Sequence, residues 1–279
     1  MRNRTGTLEL GLLVALFAVT ARFVDDLTLY GATALVIVAV AAGTATLLGE
    51  SLPWRWPFDR VALPVLATFG SLGIVRLVDQ GPLLGAAAVA SFLVASWVVG
   101  LELSGASLAA AVESRPAGPT DWLSEPEFGE ARQSMAASRL AAFGLAFLAF
   151  TAIGGFVPGG VAGEGQNPGL PGFLAALVLD FAVATLAGLR ILALHPHTRN
   201  DVFVALYLYL LVVAPAGVLI RVLALPRLFG PALLTLAFYI VTSLRESDEP
   251  IRHNRRLLEE TAILVAAGLL TVAVGLLVR

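Results

Sequence analysis

The chain has 279 residues, of which 58% are hydrophobic before its 27 Gly are counted, only 14% are charged, and the mean hydropathy is +0.86. An ordinary soluble domain carries roughly 25% charged residues. A water-soluble fold of this size cannot hide so much apolar surface, so the composition predicts an all-α, polytopic integral membrane protein of the cell membrane with the lipid bilayer as its first partner. Eighteen basic residues stand against 20 acidic ones for a net charge of −2, too even a balance for a nucleic-acid partner.

The missing residue types remove further classes. No Cys is present, which excludes disulfides, thiolate metal sites and a cysteine nucleophile. All 18 basic residues are Arg, which excludes a lysine Schiff base and a Walker A lysine. No cofactor is expected.

A bilayer-crossing helix needs about 20 apolar residues. In chain order, nine segments come near this: 8–24, 30–48, 61–79, 82–102, 136–157, 173–194, 202–225, 228–244 and 260–278. The eighth is short and has Pro231 near its start, so eight spans is the alternative count. The first follows Arg2 and Arg4 like a signal peptide, but Ala21-Arg22-Phe23-Val24 is not a small-residue cleavage site; it is read as a retained helix. The whole chain is read as a single transmembrane domain, with candidate halves 1–102 and 136–248, a cytoplasmic linker 103–135 and an extra helix 260–278. With nine spans, only Arg22, Arg76, Arg221, Arg227 and Arg279 fall on one side and the other 13 Arg fall opposite. The positive-inside rule then places the N-terminus in the cytoplasm and the C-terminus outside.

Two connections resemble each other. Arg22–Ala34 and Arg76–Ala88 match at seven of 13 positions at an offset of 54, including Arg22 with Arg76, Asp25 with Asp79 and Gly31 with Gly85. A third, from Arg221 to Gly230, keeps the Arg and the Gly without the Asp. The pattern predicts repeated helical hairpins with Arg and Asp three apart on a last helical turn. The linker 103–135 contains Ser124-Glu-Pro-Glu127, a capping box with Pro in the first turn, so the fifth helix is expected to begin near Glu125. The link 154–172 holds eight Gly and three Pro in 19 residues and reads as a flexible or re-entrant loop.

Charges deep in a bilayer cost about 2.5–3.5 kcal/mol each and are functional candidates by default. Asp180, in Leu177-Val-Leu-Asp-Phe181, is the deepest, and a pair with Arg221 or Arg76 is the expectation. Arg190 and Glu102 lie near predicted span ends and are expected to reach the interface. Helix-weakening residues precede both arginines: Pro64 with Gly70 and Gly73 before Arg76, and Pro215 with Gly217 before Arg221. Broken helices at matching positions of two halves point to a transport site; close helix packing is the alternative use of such residues. His195, His197 and His253, with Asp201 and Glu249 nearby, are weak metal candidates without a zinc-type spacing.

Three function classes follow. The first is a transporter-like or channel-like protein for a small solute, ion or proton, using Asp180, Arg76 and Arg221. It requires a water-accessible cavity between spans 3, 6 and 7. The second is a non-catalytic membrane scaffold or complex subunit with a membrane-protein partner. The third is a membrane enzyme acting on lipid headgroups through the three histidines.

Overall fold

Capping oxygens and glycines set the helix ends. In the computed structural model the described residues are 2–49, 58–78, 81–113, 126–157, 169–194, 198–223, 225, 228–246, 259 and, with gaps, 262–274. They form α1 (Arg2–Ala21), α2 (Asp26–Leu48), α3 (Phe58–Leu77), α4 (Pro82–Glu113), α5 (Pro126–Phe156), α6 (Gly169–Leu192), α7 (Arg199–Val222) and α8 (Phe229–Glu246), followed by a helical stretch at 265–274. There is no strand among the described residues.

Asp25 caps α2: its carboxylate accepts from the Thr28 amide at 3.1 Å and from the Thr28 hydroxyl at 2.7 Å. This satisfies a donor that the first helical turn cannot pair internally. Thr198 and Asp201 form a reciprocal capping box at the start of α7. The turn before α4 runs through Gly81 at φ 122°, a conformation that favours glycine, and Pro82 follows at the first helical position.

Among the described residues, six helices are long and apolar enough to cross a bilayer: α2 through α7. The predicted first, eighth and ninth spans fall on shorter apolar helices, Thr5–Ala21, Phe229–Arg245 and Val265–Val274. Length and composition therefore carry six spans among the described residues; the first predicted span falls short because polar residues trim its start, and the ninth lies only partly within the described residues. In α1, Arg2, Arg4 and Glu9 occupy the first turns.

The predicted linker 103–135 is largely helical where described. α4 runs on to Glu113 and α5 starts at Pro126. At 1.5 Å per residue, the 32 residues of α4 reach about 48 Å, well beyond a ~30 Å hydrocarbon core. Ser124 of the expected capping box and Glu125, the expected helix start, lie outside the described residues, as do 158–168 of the glycine-rich link.

Short turns after α1, α3 and α7 make neighbouring helices antiparallel. The end of the bundle carrying those turns is called the upper end below. α3 is the central element: 72% of its span is buried inside the protein, against 50% for α5 and 22% for α4. α3 and α5 cross closely. A Cβ on Gly73 would collide with Ala152, one on Gly155 with the Gly73 backbone, and one on Gly70 would press on Leu148. Phe69 and Phe156 stack beside this crossing at 4.6 Å. The expected helix breaks are thus corrected. α3 is continuous through Pro64, Gly70 and Gly73, and α7 is continuous through Pro215 and Gly217. The missing side chains of Gly70 and Gly73 admit a neighbouring backbone, as small residues do in membrane helix packing.

Candidate functional site

Asp180 sits at the middle of α6 and is fully buried. Its Oδ2 accepts a hydrogen bond from Arg221 Nη1 of α7 at 2.5 Å. The same Nη1 donates to the Gly217 carbonyl one turn back on α7 at 3.0 Å, so the guanidinium is folded along its own helix. Gly217 makes room for the pair: a Cβ there would lie 2.7 Å from Asp180 Oδ2 and 3.0 Å from Arg221 Nη1. Among the described residues, Asp180 Oδ1 and Arg221 Nε have no hydrogen-bond partner.

The surroundings are tightly packed. A cavity of only about 10 Å³ remains beside the pair, between Phe150 of α5, Ile220 of α7 and Gly230, Pro231 and Leu234 of α8. That is close to the smallest space that holds one water. The walls belong to α5, α6, α7 and α8, not to spans 3, 6 and 7, because α8 closes the upper side of α7.

Of the two expected partners for Asp180, the structure brings in Arg221. Arg76 points elsewhere: its Nη1 donates to the Val24 carbonyl in the α1–α2 turn at 3.4 Å. Pro215 lies exposed on the outer face of α7, away from the pair. Asp25 serves as a helix cap, and Arg22 is half-buried just past the end of α1. Gly31 and Gly85 are exposed in the opening turns of α2 and α4 with open space around them, whereas a Cβ on Gly230 would meet Ile220. Asp79 lies outside the described residues. Of the hairpin residues, Arg221 and Gly230 of the third connection therefore lie at Asp180, whereas Arg76 bonds the α1–α2 turn and Asp25 caps α2.

Sequence reasoning missed a second buried pair. Arg190 of α6 and Glu102 of α4 do not reach an interface: their side chains are 7% and 0% exposed, and Arg190 Nε donates to Glu102 Oε1 at 2.6 Å. Arg190 Nη2 also donates to the Ser138 hydroxyl of α5 at 3.1 Å. Glu102 lies inside because α4 continues eleven residues past it, so it is not a span end. The two pairs lie at the middle and near the C-terminal end of α6, ten residues or about 15 Å apart.

His195, His197 and His253 lie outside the described residues. Asp201, once a possible companion to them, is the capping residue of α7. Among the described residues, no three His, Cys, Asp or Glu come together as a metal site.

Comparison with family models, curated proteins and solved structures returns no match to this chain. The geometry defines the class: among the described residues, an all-helical protein with six long apolar helices and two charge pairs in its interior.

Proposed function

We propose that the chain is a non-catalytic scaffold or subunit of a membrane assembly, crossing the cell membrane nine times with its N-terminus in the cytoplasm and its C-terminus outside. The observation that carries this reading is the packing of Asp180. A conduit needs a hydrated route to its charged residue. Here Asp180 is fully buried, is held by Arg221, and adjoins about 10 Å³ of space. Glu102 and Arg190 are equally enclosed. Buried pairs of this kind tie helices together and make each charge dependent on its partner. The Arg distribution supports the orientation, and the three shorter apolar helices support the count.

A second reading, transport of a small solute, ion or proton, draws on one observation: Asp180 and Arg221 line the cavity, and among the described residues Asp180 Oδ1 and Arg221 Nε have no hydrogen-bond partner. Intramembrane ionisable groups of this kind mark transport paths in many proteins. Neither reading uses the histidines.

Two assays separate the readings. Liposomes containing the purified chain are tested for proton flux with an internal pH dye and for swelling in small neutral and charged solutes. In parallel, the chain is isolated from its native membrane in mild detergent after brief crosslinking. The scaffold reading expects flux equal to protein-free liposomes and a stoichiometric membrane-protein partner. Flux that disappears in Asp180→Asn overturns it in favour of transport.

A further inference from the structure

We infer that one internal water molecule completes the Asp180–Arg221 pair, held between α6, α7 and the first turn of α8. Three features belong to residues that line the cavity beside the pair. Asp180 Oδ1 is a fully buried acceptor without a partner, and Arg221 Nε is a donor without one. Gly230, in the cavity wall, is the second residue of α8. The amides of a helix's first turn have no acceptor within the helix, and Pro231 contributes no N–H at all. Ala232 is already bonded to the Leu228 carbonyl. The amide of Gly230, on a residue that lines the same cavity as Asp180, is thus one that α8 itself leaves without an acceptor.

The chemistry of this donor set selects the ligand. Asp180 Oδ1 needs a hydrogen to accept, while Arg221 Nε and the Gly230 amide need a lone pair. A metal cation or ammonium has no lone pair for Arg221 Nε, and a halide has no hydrogen for Asp180. Water both donates and accepts. The cavity, about 10 Å³, admits a single molecule of that size, and two to four polar partners are what a buried water takes. The remaining walls, Phe150, Ile220 and Leu234, are apolar and leave no room for a chain of waters. The water stands with either reading of the protein's role, because its detection does not depend on flux.

The test uses the full chain in lipid nanodiscs. A density map at about 2 Å is read at the cavity, and pulsed X-ray hydroxyl-radical footprinting compares Phe150 with Phe238. Both rings are buried to 1% exposure or less, but only Phe150 borders the cavity. The inference expects a density peak within about 2.6–3.2 Å of Asp180 Oδ1 and Arg221 Nε, with Phe150 oxidised severalfold faster than Phe238. A carboxylate turned so that both oxygens meet the guanidinium overturns it. Equal oxidation of the two rings overturns it as well.

Discussion

Removing Arg221 is predicted to cost far more than removing Asp180, and removing both is predicted to cost less than removing Arg221 alone. The charges sit in contact at 2.5 Å between Arg221 Nη1 and Asp180 Oδ2. At an effective dielectric of about 20, two unit charges about 4 Å apart attract by about 4 kcal/mol. Leaving one member of a buried pair alone costs about 3–5 kcal/mol in measured cases. The two members differ in their escape. Arg221 is one residue from the end of α7, so in Asp180→Leu its long stem can carry the charge to the interface. Asp180 sits at the middle of α6 on a short side chain and has no such route. Arg221→Met is therefore expected to destabilise by about 3–5 kcal/mol and Asp180→Leu by about 1–2 kcal/mol. The double variant should fall within about 1 kcal/mol of the parent, because apolar replacement of a whole buried pair is often neutral or stabilising. Unfolding in mixed lipid–detergent micelles by added dodecyl sulfate, followed by the four Trp, gives the three differences. Equal losses in the two single variants, or a double variant showing their sum, would refute the reasoning.

Gly217→Ala places a methyl against Asp180 Oδ2 and Arg221 Nη1. It is expected to cost about 1–3 kcal/mol by overpacking in the parent and markedly less in the Asp180→Leu, Arg221→Met background, read by the same unfolding assay. Glu102→Leu leaves the guanidinium of Arg190 among α4, α5 and α6 with only Ser138; a loss of about 3–5 kcal/mol is expected, while Ser138→Ala should cost only about 0.6 kcal/mol, the average for membrane hydrogen bonds. The natural absence of Cys makes single-cysteine labelling clean: in intact cells, Gln166→Cys is expected to react with an impermeant maleimide and Arg115→Cys to react only after lysis. The reverse pattern would invert the proposed orientation.

Much of the helix arrangement was readable because apolar run length is a one-dimensional signal. Predicted segment 173–194 corresponds to Gly169–Leu192, and 202–225 to Arg199–Val222. Asp180 stood out for the same reason, as a lone charge inside a long apolar run, and its two candidate partners were nameable from their depth. What the sequence left hidden depends on neighbours. Gly70 and Gly73 look like breaks until Leu148 and Ala152 are seen against them. Glu102 and Arg190 look like snorkelling end residues until α4 and α5 are seen to continue past the apolar windows. One missed feature did have a local signal: Thr198-x-x-Asp201 ahead of an apolar run is a capping-box spacing, and it assigns Asp201 to a helix end.

The placement of charge on α6 explains how a bundle with little driving force for helix association finds one arrangement. In lipid, apolar surface gains little by meeting apolar surface, so packing detail and polar contacts decide register. α6 carries an acid at 180 and a base at 190. At 100° per residue, ten residues turn the helix by 1,000°, which puts the two side chains about 80° apart around the axis. The acid meets α7 and the base meets α4 and α5. A one-turn slip of α6 against α7 would strand Asp180, and one against α4 and α5 would strand Arg190. A rotation of α6 would bring Asp180 no second arginine from α4 or α5 at its own height. Two opposite charges on one helix, each matched on a different neighbour, thus fix both its depth and its rotation.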